Sequence, residues 1–259
     1  MILNEPKKSP YDLSFNLFGF PIRVHPGFFI LPVIFGSGSL GGVANPGVVI
    51  LIFILAFFVS ILVHELGHAL ALRFFGVPSR VVLYWMGGLA IHDNGGWGGR
   101  QQLSPNQQII VSLAGPAAGF MLAALVVGIV FALGGTLQFY MDRMFPMLAP
   151  SWEGTAIESN APLQTLFFVM LFCNIVWNIL NLAPVLPLDG GRVIQEMCIK
   201  ADYNSGIRNS LMISVGAGAV IAFMGFSIGD RFVGIFFALM AISAYMTLQQ
   251  MSGRGQGRW

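Results

Sequence analysis

The chain has 259 residues, 56% of them hydrophobic and only 9% charged, with a formal net charge of +2. A soluble globular domain carries roughly 25% charged residues, so this composition excludes a soluble domain and points to an integral membrane protein. The small net charge says little, because the placement of the charges carries more information than their sum.

Residues 1–11 are polar, with Lys7 and Lys8 among them, and read as a flexible tail. No short apolar segment with a small-residue cleavage site follows, so no removable signal peptide is expected. Leu13 to His25 alternates in part and is punctuated by Gly19 and Pro21, which predicts a strand pair at the membrane surface. The apolar segment 26–36 is the expected first span, and the Gly- and Ser-rich stretch Gly36 to Gly47 reads as a loop. The second span is expected over 48–75; its 28 residues would reach ~42 Å, more than a hydrocarbon core of ~30 Å.

Val77 to His92 mixes β-branched and aromatic residues around Gly87-Gly88 and predicts a small sheet. Gly95 to Gly99 reads as a loop. Ser104-Pro105 then signals a helix start and opens a third span over 106–133. Residues 134–162 read as a loop. The fourth span, 163–182, carries Asn174, Asn178 and Asn181 as a polar stripe; the first two read as contacts between helices. Pro184 and Pro187 break the chain after it, an amphipathic interfacial helix follows over 192–205, and the last spans are 207–228 and 232–251. Cys173 and Cys198 read as buried free thiols. The fold class is thus an all-α membrane protein, a single domain with six transmembrane helices and a small membrane-associated β-sheet. Six spans leave all Lys and Arg except Arg143 and Arg231 on the side of the termini, which the positive-inside rule makes cytoplasmic.

The chemistry centres on His64-Glu65-Leu66-Gly67-His68. On a helix, positions i and i+4 share a face, so both imidazoles can address one cation. H-E-x-x-H on a helix reads as a zinc site with the glutamate as general base. Three ionisable groups in a bilayer-length apolar run are costly, ~2.5–3.5 kcal/mol each at membrane depth, and a metal would compensate them. A zinc site with two histidines needs a further protein ligand. Among the acidic residues, those at 142, 153, 158 and 230 fall on the outer side, those at 5 and 12 in the tail, and those at 93, 196 and 202 in loops or on the interfacial helix. Asp189 stands apart: it directly follows the proline-broken stretch, where irregular backbone at membrane depth lines a cavity. It can also cap the helix that follows.

HELGH inside a span, followed far downstream by Asn181-Leu-Ala-Pro184-Val-Leu-Pro187-Leu-Asp189-Gly190, resembles the site-2 protease family of intramembrane zinc metalloproteases. Ser112-Leu-Ala-Gly115-Pro116 is similar to that family's central segment, and Arg23 to Pro26 and Gly87-Gly88 are looser echoes. The resemblance runs from about residue 15 to 251 and is to the compact form, without a PDZ or CBS domain. It implies one Zn2+ per chain held by His64, His68 and Asp189, with Glu65 as the catalytic base and Asn181 contacting substrate. It further implies cleavage of transmembrane or membrane-tethered proteins in regulated intramembrane proteolysis, with the substrate strand pairing on the small sheet, in the cell membrane and with the active-site side cytoplasmic. The expected partners are that substrate and the lipid bilayer, with no nucleic acid. The alternatives are a membrane metallohydrolase acting on another substrate and a non-catalytic binding protein with a protease-like metal site.

Overall fold

The computed structural model of the protein describes residues 6–38, 45–85, 87–92, 103–142 and 145–254. The expected loop at Gly95 to Gly99 and the middle of the expected loop at Gly36 to Gly47 lie outside them. The chain separates into two compact units, one of Glu5–Gln101 with Ala114–Asn178, the other of Met1–Asn4, Gln102–Leu113 and Ile179–Trp259.

The first unit opens with the expected strand pair, β1 (Leu13–Leu17) and β2 (Phe20–Val24). Phe18 (φ 52°) and Gly19 (φ 82°) form a two-residue turn, both with the positive φ that a type I′ hairpin needs. A non-glycine residue is rare there, and Phe18 is held from outside: Arg73 donates to its carbonyl at 2.8 Å and lies 4.3 Å over the Phe20 ring. Residues 6–12 are tied to the same hairpin, since Arg23 donates to the Pro6 carbonyl and to Asp12 Oδ2.

His25 accepts from the Gly27 amide at 3.0 Å and caps a 3-10 turn over Pro26–Phe29, which makes it a structural histidine. Helix α1 (Ile30–Gly38) follows, then α2 (Pro46–Phe74), with proline at its first position, where the missing N–H costs nothing. Phe28 lies against Phe58 and Gly36 against Ile50, so α1 and α2 run antiparallel. Strands β3 (Ser79–Tyr84) and β4 (Gly87–His92) complete a four-stranded sheet in the order β1-β2-β3-β4, in which β2 and β3 are parallel. The inward side chains Phe20, Ile22, Val24, Val81 and Leu83 share a core with the middle of α2. The expected sheet is therefore larger than 77–92 alone; it takes in the N-terminal hairpin, because β2 buries every second side chain.

Helix α3 (Pro105–Ala132) starts with a reciprocal cap, the Ser104 amide donating to Gln107 Oε1 at 2.8 Å. The stretch 134–162, expected to be a loop, contains β5 (Thr136–Asp142) and β6 (Phe145–Ser151), paired antiparallel. Pro146 and Pro150 mask the strand in the sequence, yet a two-stranded ribbon is all edge and spares the N–H groups they lack. Helix α4 (Ala161–Asn181) ends where the asparagine stripe ends.

In the second unit the chain turns between Leu182 and Leu188, and α5 (Asp189–Ala201) begins. The break leaves backbone groups that need partners. Val185 N bonds the Ala183 carbonyl, Leu188 N the Val185 carbonyl, and Leu186 N the buried Ser214 hydroxyl at 3.1 Å. Gly190 and Gly191 let α5 start directly against this backbone, where a Cβ would strike the 182–186 carbonyls. Helices α6 (Gly206–Ser227) and α7 (Arg231–Arg254) pack through small residues, Gly218 on Ala241 and Gly225 on Gly234.

Among the described residues five helices, α2, α3, α4, α6 and α7, are long and apolar enough to cross a membrane and two small sheets are present; the chain is a mostly helical multi-pass membrane protein. The expected first span, 26–36, falls in a shorter apolar helical segment, Pro26–Gly38, ~20 Å long at 1.5 Å per residue. Cys173 and Cys198 are free; Cys173 is buried and Cys198 half-buried.

Candidate metal centre

The site begins with the spacing in α2. His64 and His68 lie one turn apart on one face, and their Nε2 atoms are 3.1 Å from each other. Two nitrogens bound to one zinc at ~2.0–2.1 Å with a tetrahedral angle sit ~3.3 Å apart. The pair is thus set at the separation that a single ion needs. Ligand atoms of His64, Glu65 and His68 all lie within 4.8 Å of one another, and their relative exposures are 5%, 6% and 7%. Two imidazoles and a carboxylate with almost no contact with water form a donor set that fits a small divalent cation. Among the described residues this is the group of metal-ligating side chains that could hold one.

The neighbours that make room are glycines. A Cβ on Gly115 would overlap both imidazoles, with His64 Nε2 2.8 Å from it, so α3 brings bare backbone up to the histidine pair. Gly67 lies against the Ala114 carbonyl and Ala118, which lets α2 and α3 approach closely. On β4, Gly88 faces Glu65; any side chain there would collide with the carboxylate. Among the described residues β4 is an edge of its sheet, so an edge strand passes beside the acid.

Behind His64 stands α4. His64 Nδ1 is 2.8 Å from Asn178 Oδ1, Asn178 Nδ2 donates to the Asn174 carbonyl at 2.5 Å, and Asn174 Nδ2 donates to Ser60 Oγ at 2.7 Å and to the Met170 carbonyl at 2.8 Å. Asn174 and Asn178 are 1% and 2% exposed. They do join helices, as the sequence suggests, but Asn178 joins α4 to a site histidine. The stripe of three asparagines was the available signal; which of them turns toward His64 is set by helix rotation, which spacing does not reveal.

Of the residues singled out in the sequence, the structure brings together His64, Glu65 and His68. Asn181 and Asp189 belong to the other unit, Asn181 half-buried as the last residue of α4 and Asp189 buried as the first of α5. Asp189 is in the first turn of α5; the N-cap position is Leu188, which makes no side-chain cap hydrogen bond. Gly88, Gly115 and Asn178 are site neighbours that sequence reasoning left as loose echoes or packing residues.

An imidazole pair and a carboxylate buried on a membrane-length helix define a membrane protein with a candidate internal metal site. Residues 52–225, more than half of the chain, match Peptidase family M50, and the chain belongs to that family. It is 29% identical over 215 residues to a putative zinc metalloprotease of Synechocystis sp., covering 78% of this chain and 48% of that protein. It is 24% identical over 240 residues to a zinc metalloprotease of Methanocaldococcus jannaschii, covering 92% of this chain and 59% of that protein. The chain therefore spans about half the length of these relatives. Its fold is similar to that of the site-2 protease from Methanocaldococcus jannaschii, with a TM-score of 0.54 at 19% identity, over 92% of this chain and 95% of that one.

Proposed function

We propose that this chain is an intramembrane zinc endopeptidase that hydrolyses peptide bonds of transmembrane or membrane-tethered proteins. The observation that carries this reading is the buried His64–His68 pair with Glu65 beside it on a bilayer-length helix. Membership of a peptidase family and relatives named zinc metalloproteases support it.

His64 and His68 would hold the ion through Nε2 and Asp189 would supply the third ligand, in a single protease domain. Bound zinc supplies Lewis-acid polarisation of the scissile carbonyl and acidifies the attacking water. Glu65 accepts the proton of that water on its carboxylate and passes it to the leaving amine. Gly88 brings bare β4 backbone up to the buried carboxylate, so a substrate strand added to β4 would present an extended carbonyl near Glu65. An extended pose is needed because a carbonyl paired inside a helix is not open to attack. Asn181, at the end of α4, contacts the substrate.

The parallel pairing of β2 with β3 bears on topology. Ile22 to Val24 lie beside Val81 to Leu83, so the chain between them returns to the side it left. With α2 as one crossing and the apolar segment Pro26–Gly38 as the other, this supports a reading of six crossings with both termini on one side. The Lys and Arg distribution supports a cytoplasmic placement of that side, in a protein we assign to the cell membrane. Cleavage there would release cytoplasmic fragments of its substrates, the chemistry of regulated intramembrane proteolysis.

The test is a comparison of membrane-protein fragments in cells carrying the parent chain or Glu65→Gln. Fragments made by the parent and missing from the variant support the reading, and equal fragments from both sink it. Release of a cleaved lipid with no cleaved protein would make the chain a different metallohydrolase. Purified Asp189→Ala with unchanged zinc content would remove Asp189 from the ligand set.

A further inference from the structure

The reading of His64 and His68 as metal ligands leaves open what aims them. A neutral imidazole has two tautomers, and only the one protonated on Nδ1 offers an Nε2 lone pair to the ion. The hydrogen bonds behind His64 decide between them. Asn178 Nδ2 is engaged as donor to the Asn174 carbonyl, so the atom facing His64 is Oδ1, an acceptor. The flipped amide would set Oδ1 against the Asn174 carbonyl, two acceptors with no proton between them. His64 Nδ1 must therefore donate, and the lone pair falls on Nε2, the atom 3.1 Å from His68 Nε2.

We propose that Asn178 is a positioning residue of the metal site, which fixes the tautomer and direction of the His64 ring. This rests on the reading of the histidine pair as zinc ligands. Asn178 is itself held. Its amide is pinned by the Asn174 carbonyl, and Asn174 is pinned by Ser60 on α2, one turn before His64. The loop of bonds thus starts and ends on α2 and passes through α4. Gly119 closes the other side, since a Cβ there would overlap the Asn178 amide. The space between these groups, bounded by Phe57, Ile61, Phe172 and Trp177, is ≈20 Å³. That is room for about one water, so no bulk water competes with Asn178 for the His64 proton. Partners of this kind orient a ligand ring and raise its basicity, and their loss typically costs 10–100-fold in metal affinity. An asparagine that only joined two helices would change stability and leave the metal alone.

The experiment uses the full chain in detergent, stripped of metal. Zinc affinity is measured by chelator competition and the Co2+ absorption spectrum is recorded, for the parent, Asn178→Ala and Asn178→Leu. Asn178→Ala is expected to bind zinc about 10–100-fold more weakly with an altered cobalt spectrum. Asn178→Leu, close to asparagine in size and with no acceptor for His64 Nδ1, carries the same expectation and keeps the idea testable if the alanine variant does not fold. Either variant folded with parental affinity and spectrum overturns the proposal. A parent chain that takes up neither ion overturns the metal reading itself, and this one with it.

Discussion

Gly115 touches the centre with its backbone alone. Its absent side chain is what allows α3 to lie on the imidazoles of His64 and His68. Gly115→Ala is expected to displace the pair, with ~1–3 kcal/mol of overpacking and loss of bound zinc. Gly128 in the same helix has nothing within 4 Å of a built Cβ, and Gly128→Ala should keep parental metal content. Zinc analysis and thermal unfolding of the two variants, side by side, check this. A second prediction concerns Glu196, which lies on α5 outside the spans and whose carboxyl burial pushes above its ordinary 4.5. The folded state then holds the proton more tightly than the unfolded chain. Stability that is full below 4.5 is lost as pH rises through the raised value. Glu196→Gln should remove that decline, so the variant gains on the parent as pH rises above 4.5 in unfolding measurements. Asp12 runs the other way. The Ser9 amide, followed by Arg23, holds its carboxyl below the ordinary 3.8, so its contribution is present above 3.8 and is lost as pH falls below it.

Two joints hold the elements. The turn from Leu182 to Leu188 has a backbone amide, that of Leu186, whose partner is the Ser214 hydroxyl of α6. Ser214→Ala leaves a buried donor without its acceptor, and a loss of ~1–3 kcal/mol is expected. Ser227→Ala, on an exposed hydroxyl bonded within its own helix, should change little. The second joint is Arg73 at the end of α2, which bonds Phe18 and covers Phe20. Arg73→Ala should speed hydrogen exchange in β1 and β2 while β3 and β4 keep their protection, because their ladder does not depend on the turn.

For the whole molecule, the proposed six crossings would put Ser9 and Asp202 on one side and Gly154 on the other. Single cysteines at 9 and 202 should react with an impermeant maleimide from the same face of oriented vesicles, and a cysteine at 154 from the opposite face. Labelling of 9 and 202 from opposite faces would sink the six-crossing topology.

Much of this architecture is written in local chemistry. Apolar runs of bilayer length set α2, α3, α4, α6 and α7, because unpaired backbone is not tolerated in lipid. The i, i+4 histidines and the glutamate were legible because one helix carries all three, and helix geometry alone brings them together. Pro184 and Pro187 marked the end of α4 because proline cannot continue a helix. What the sequence could not decide depends on contacts between distant segments. The N-terminal hairpin joins β3 only through a parallel pairing across more than 50 residues, which no local pattern encodes. The ribbon at Thr136–Ser151 hid behind its prolines. Gly88, Gly115 and Asn178 acquired their places beside Glu65 and the histidines through helix rotation and close approach. By itself the sequence determined a membrane protein with two histidines and a glutamate together on one apolar helix, since those follow from hydropathy and the 3.6-residue turn. Only the tertiary structure decided what surrounds that pair, because a side chain's neighbours across helices are fixed by packing.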